Sequence, residues 1–210
     1  MVQQFQTSRA PWLTPARLDR IEQVAIVLLW VFLVERVWAS DNPFAPLLLI
    51  TETTVAFFVL IRRSTDAISI RPGDWMLAIT ATAAPMLVMP SPSLWPAVVP
   101  LAVALIVFGN LFQAWAKLSL RRSFGVAPAN RGIKISGPYR FVRHPMYAGY
   151  LVTHIGILAL MPSLFNLAIY VLAWFSQILR LRAEERLLAE DGAYRAFAQK
   201  TRWRLIPGLF

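Results

Sequence analysis

The sequence has no cysteine and only two histidines. The first absence excludes a disulfide framework, thiolate zinc ligation, a cysteine nucleophile and S-acylation of the chain. The second leaves too few imidazoles for a histidine metal cluster, so no metal partner is expected. Charge is scarce as well: Asp, Glu, Lys and Arg make up 15% of the residues, against about 25% in an average soluble domain. No Gly-x-Gly of the dinucleotide-binding kind occurs, so a nucleotide-bearing cofactor would have to be held by other means.

What is plentiful is apolar side chain, 57% of the 210 residues. An excess of that size gathered in blocks indicates an integral membrane protein, and the length suffices for one helical bundle. The formal charge is +10. On a nucleic-acid-binding protein such a charge would mark a phosphate-tracking face. Here the basic residues lie between apolar runs, which points to topology and anionic headgroups, with the bilayer as partner and no nucleic acid.

The apolar blocks are Ile21–Val34, Phe44–Ile61, Trp75–Met89, Trp95–Trp115, Pro145–Met161 and Leu164–Leu181. A helix needs about 20 residues to cross a bilayer core. The second and fourth blocks reach that length; the first does so if extended from Leu18 to Trp38. The last two, joined by Met161-Pro162-Ser163, read as a helical hairpin. The expected fold is an all-α integral membrane bundle of about six transmembrane helices, or five plus a partly inserted segment. A signal peptide is the competing reading of the first block, which follows Arg9, Arg17 and Arg20 and ends near Val37-Trp38-Ala39. With the N-terminus in the cytoplasm, every basic residue except Arg36 falls on the cytoplasmic side, so both termini are expected there. The tail from Glu184 to Lys200 reads as an interfacial amphipathic helix broken near Gly192.

Polar residues concentrate after Lys117. Gly137-Pro138 makes a turn before Tyr139, Arg140 and Arg143-His144-Pro145-Met146-Tyr147-Ala148-Gly149. Pro145 suits the first turn of a helix, which places Arg143 and His144 at a helix N-terminus that favours an anion. Gly149 allows close approach of a ligand or another helix. At the end of the last block, Glu184 and Glu185 offer acceptors for hydroxyls or an ammonium. Spacing alone also allows a solvated helix face with Arg180–Glu184 and Arg186–Glu190 pairs. His154 reads as a hydrogen bond within the bundle. Glu52, inside the second block, is costly in lipid and so faces the interior, as a structural partner or as part of a site.

Taken in order, GPYRFVRHPMYAGY, a helical hairpin and RLRAEERLLAEDGAYRAFAQKTRWRLIPG resemble the isoprenylcysteine carboxyl methyltransferase family and the wider membrane phospholipid methyltransferases. The resemblance runs from Ser136 to Gly208. It divides the chain into residues 1–116, without a recognised motif, and a methyltransferase-like half, residues 117–210. It implies S-adenosylmethionine as cofactor, held at the cytoplasmic side by Arg143, His144, Pro145, Tyr147, Gly149, Glu184, Glu185 and Tyr194, with the purine against Tyr147 or Tyr139. The implied partner is a lipophilic acceptor: an isoprenylcysteine-like carboxylate, a phospholipid amine, or a small thiol or acid. Proximity to these motifs makes Arg140 and Arg204 candidates for holding an anionic acceptor. Glu52 is the candidate at a lateral entry. The pattern also overlaps membrane sterol reductases that use a nicotinamide dinucleotide phosphate, and a non-catalytic transporter would line a pathway with such polar groups.

Overall fold

The computed structural model describes residues 14–63, 65, 67–93 and 95–210; Arg9 lies outside them. The described residues form seven α-helices: α1 Pro15–Trp38, α2 Leu47–Ile61, α3 Pro72–Met86, α4 Val99–Leu120, α5 Pro145–Leu160, α6 Leu164–Leu188 and α7 Gly192–Lys200. Each of the first six coincides with one apolar block. Their starts follow local chemistry. Thr14 caps α1, accepting from the Arg17 N–H, and the Ser163 hydroxyl caps α6, accepting from the Asn166 N–H. Proline opens α1, α3 and α5, where its missing N–H costs nothing.

Among the described residues, two helical segments are long and apolar enough to cross a membrane: Pro96–Ser123, which is α4 with a 3-10 turn at each end, and Leu164–Leu188. The apolar helices α2 and α5, with 15 and 16 residues, are shorter. At 1.5 Å per residue they span roughly 23 Å, less than the ~30 Å hydrocarbon core. The polar residues Arg17, Asp19, Arg20, Glu22, Glu35 and Arg36 dilute the apolar character of α1 near its two ends.

The short turn at Met161–Ser163 joins α5 to α6 where the hairpin was expected, but each helix has its closest neighbour elsewhere. α5 lies chiefly along α4, and α6 chiefly along α3. Gly109 on α4 and Gly149 on α5 permit the first pairing: a Cβ on Gly149 would stand 2.6 Å from Gln113 Cγ and 3.0 Å from the Gly109 carbonyl oxygen. Between α5 and α6 sit large rings instead, with His154 4.7 Å from Tyr170. His154 Nδ1 accepts from Trp174 Nε1 at 3.2 Å, the hydrogen bond within the bundle expected for it.

The two ends of the bundle differ. At one end Arg36, the lone basic residue there, donates to the carbonyls of Met86 (2.8 Å) and Val88 (3.2 Å), closing the end of α3. Asn42 and Asn166 bind backbone groups of Ser91, Met89 and Met161 nearby. The other end gathers nearly all the ion pairs. The tail also departs from expectation: α6 continues through Glu184 and Glu185 to Leu188, so the acidic pair belongs to the long helix. The break falls at Asp191, whose carboxylate accepts from the Ala193 N–H to start α7.

Candidate active site

The charged end is built around the start of α5. Gly137 has φ +63°, and a Cβ there would run into Ser119 and lie 3.4 Å from Trp115 Nε1, so the 3-10 turn Gly137–Arg140 needs its glycine. After that turn, the N–H groups of Arg143 and His144 donate to the carbonyls of Trp203 (2.8 Å) and Arg204 (2.9 Å). The C-terminal segment is thereby fastened to the start of α5, in each case 60 residues earlier. His144 occupies the N-cap position, but its side chain does not cap. The ring turns instead toward α6, placing Nε2 3.2 Å from Glu185 Oε1.

Glu185 is the hub. Its carboxylate meets Arg143 Nη1 at 2.9 Å and Arg204 Nε at 2.8 Å, and it accepts from the Tyr194 hydroxyl at 3.2 Å. Glu184, one residue earlier, accepts from the Tyr147 hydroxyl at 2.9 Å. Burial, followed by the charges of Glu185 and Glu184, holds the Tyr194 phenol well above its ordinary pKa, so it stays a donor. Burial and the Glu184 charge do the same for Tyr139.

These groups border a cleft. Arg143, His144, Tyr147 and Glu184 form its polar wall; Tyr139, Phe124, Tyr194 and Phe197 give it aromatic surfaces. Its remaining wall is the segment from Ser123 to Lys134, which includes Arg131 and Lys134. That segment is held from the N-terminal helices. Arg131 Nη2 meets Asp19 Oδ1 at 2.7 Å, and Arg131 Nε donates to the Arg63 carbonyl at 3.0 Å. Glu22 accepts from the Val126 N–H at 2.8 Å and pairs with Arg62, which also meets Asp19 at 2.9 Å. Burial and the neighbouring Arg62 charge pull the Arg131 guanidinium below its ordinary pKa, while Glu22 and Asp19 oppose that shift.

The structure thus brings together Tyr139, Arg143, His144, Tyr147, Glu184, Glu185, Tyr194 and Arg204. Pro145 begins α5 just behind them. Three other candidates lie apart. Arg140 is exposed and does not line the cleft. Gly149 lies against Gln113 on α4, so the close approach it permits is that of a helix. Glu52 is buried in a separate crevice between α2, α3, α5 and α6. Neither expected i,i+4 pair is present: Arg186 makes a two-pronged contact with Asp74 at the start of α3, at 2.8 and 2.7 Å. Among the described residues, no group of three His, Cys, Asp or Glu side chains is placed to hold a metal ion.

Arg131 and Lys117 were not among the expected site residues, and Arg180 entered only as a helical partner for Glu184. Lys117 and Arg180 adjoin apolar blocks, where basic residues ordinarily report topology, and Arg131 lies in the loop between two of them. Lys117 is fully buried, its Nζ 3.3 Å from Gln113 Oε1 and 5.1 Å from the Tyr150 ring centre. The usable signal was Asn110, Gln113 and Lys117, three polar residues at one-turn spacing on a helix that is otherwise apolar but for Ser119 near its end.

The apolar outer faces and the one charged, cleft-bearing end fit a membrane protein, and the family comparison supports a methyltransferase in general. Residues 102–190, fewer than half of the 210, match the model of the isoprenylcysteine carboxyl methyltransferase (ICMT) family, and over that segment the chain is similar to it. The match begins in α4 and ends just after α6, so it takes in Arg143 through Glu185 and stops before Tyr194 and Arg204. No curated protein matches the chain.

Proposed function

We propose that the protein transfers a methyl group from S-adenosylmethionine to a lipophilic acceptor at the cytoplasmic face of a membrane, with six helices spanning and both termini cytoplasmic. The observation that carries the proposal is the meeting of the Arg143-His144-Pro145-x-Tyr147 run with Glu184-Glu185 at one cleft, inside the family-matched segment.

The residues present suit such a cofactor part by part. Tyr139, Phe124 and Tyr194 offer aromatic surfaces for a purine. Arg143 and Lys134 offer charge to a carboxylate, and Glu184 offers acceptor oxygens to ribose hydroxyls or an ammonium. Glu185 faces the cations rather than the cleft and works as the residue that positions Arg143, His144 and Tyr194. The cofactor would supply an electrophilic sulfonium methyl; the chain's part is to align the acceptor with it and exclude water. In this reading residues 117–210 hold the cofactor, and Asp19, Glu22 and Arg62 from residues 1–116 fix the facing wall. The acceptor classes are an isoprenylcysteine-like carboxylate, a phospholipid amine, or a small thiol or acid.

The test is calorimetric titration of the purified full chain with S-adenosylhomocysteine. One-to-one binding is expected, weakened roughly 10–100-fold in Glu184→Gln through loss of a hydrogen bond involving a charged group. Binding of a reduced dinucleotide in its place would overturn the proposal in favour of a reductase.

A further inference from the structure

Among the described residues, Arg121 is the only one other than glycine with a positive φ. It ends α4 with φ +52° and ψ −123°. Those are the values of the first central position of a type II′ turn, where glycine is usual because a Cβ is crowded there. Strain of this kind costs about 1–3 kcal/mol. Glycine would avoid that cost and still close α4, because the closing bond runs from the Arg121 backbone N–H to the Lys117 carbonyl. What the arginine adds at this position is its side chain.

That side chain lines a surface groove together with Leu118, Ser119, Lys134 and Ser136. The groove has a volume of about 430 Å³, room for a phosphodiester headgroup, and shares only Lys134 with the cleft. No carboxylate lines it, and among the described residues no hydrogen bond or ion pair engages the side chains of Arg121, Lys134 or Ser136. Two cations and a hydroxyl are therefore free to meet an anion. The last carbonyls of a helix oppose one, but here those of Trp115 and Lys117 are already taken by the Ser119 hydroxyl and the Arg121 N–H.

The groove stands at the charged end of Pro96–Ser123, one of the two segments long and apolar enough to cross a membrane. Trp115, just before it on α4, is exposed, as an indole at the level of the headgroups would be. Leu118 and Ile135 beside the cations are exposed as well. Cations that served topology alone would need neither a strained backbone nor a common groove. We infer that the groove binds the phosphodiester of an anionic phospholipid of the surrounding bilayer, between Arg121 and Lys134, with the acyl chains against Leu118 and Ile135. Two cations favour a headgroup of net negative charge over a zwitterionic one, whose ammonium they repel. This lipid is a bound component at the edge of the bundle, outside the cleft, and the inference does not depend on methyl transfer.

The experiment uses the full chain in maltoside micelles. Dihexanoyl phosphatidylglycerol, dihexanoyl phosphatidylcholine and inorganic phosphate are titrated in turn by calorimetry. The phosphatidylglycerol is expected to bind about 10-fold or more tightly than either of the others, as hydrogen bonds to a charged group imply. Arg121→Gly should keep or raise the thermal midpoint, because the strain is gone, yet bring phosphatidylglycerol down to the affinity of phosphatidylcholine. Arg121→Lys should retain part of the preference. Equal affinity of the wild type for the two lipids overturns the inference. So does inorganic phosphate that binds as tightly as phosphatidylglycerol, which would make the groove a site for a soluble anion. An Arg121→Gly protein that folds and keeps the wild-type preference overturns it as well. Should Arg121→Gly fail to fold, the three wild-type titrations decide alone.

Discussion

Glu185 balances two guanidiniums with a single carboxylate, from Arg143 on one side and Arg204 on the other, and it faces His144 and Tyr194 as well. Its partners come from the start of α5, from α7 and from the C-terminal segment, so its charge joins three parts of the chain. Glu185→Gln keeps the shape and removes the charge, leaving donors facing donors. We expect a loss of about 1–3 kcal/mol, read as a lower thermal midpoint in detergent, together with weaker S-adenosylhomocysteine binding. An unchanged midpoint and unchanged binding would show that the hub has no energetic role. The residue types of this cluster were legible in the sequence, because Arg, His and paired Glu beside a turn have few bland explanations in so apolar a chain. Their mutual pairing was not legible. His144 and Glu185 are 41 residues apart, and the local rule for charges one turn apart suggested Arg180–Glu184 and Arg186–Glu190 instead. Tertiary partners won at both places: Asp74 took Arg186, and Tyr147 took Glu184.

Two close helix pairs organise the bundle, α4 with α5 and α3 with α6. The first depends on glycine. A Cβ on Gly109 would stand 2.7 Å from the Thr153 nitrogen and 2.8 Å from the Gly149 oxygen, and both obstacles are backbone that cannot rotate away. Gly109→Ala and Gly149→Ala should therefore each separate α4 from α5, at a cost of about 1–3 kcal/mol for overpacking. Thermal unfolding checks this against Gly73→Ala, where nothing lies within 4 Å and stability should hold or rise. Equal midpoints in all three variants would show that the α4–α5 interface yields freely. Helix positions were readable because each apolar block carries its own start signal, Pro145 and Ser163 being the clearest. Helix pairing was not readable. Blocks adjacent in sequence suggest adjacent helices, yet α5 and α6 are kept apart by Tyr150, His154, Tyr170 and Trp174, and the polar crevice lies there. The continuation of α6 past its apolar block was equally hidden, since Arg182 to Leu188 are good helix formers whose charges resemble a separate surface helix.

At the scale of the whole molecule, charge is sorted by end. Asp19, Arg62, Asp74, Arg131, Arg143, Glu185 and Arg186 make their ion pairs at one end, while Arg36 at the other serves as a closure for α3. The sorting was visible in the sequence, because loop charge needs no tertiary information to count. What it predicts about a membrane rests on the cost of carrying basic loops across one, which favours the charged end in the cytoplasm. The absence of cysteine makes a direct test clean, since one introduced thiol is the sole labelling site. Asp41, in the turn between α1 and α2, and Ser136, before the Gly137 turn, are both exposed and belong to opposite ends. Asp41→Cys and Ser136→Cys are placed singly in the full chain, expressed in cells, and treated with a membrane-impermeant maleimide before or after permeabilisation. Asp41→Cys should react in intact cells, and Ser136→Cys only after permeabilisation. The same pattern for both sites would mean that the bundle does not cross with its charged end inward, and would remove the cytoplasmic placement of the cleft along with it.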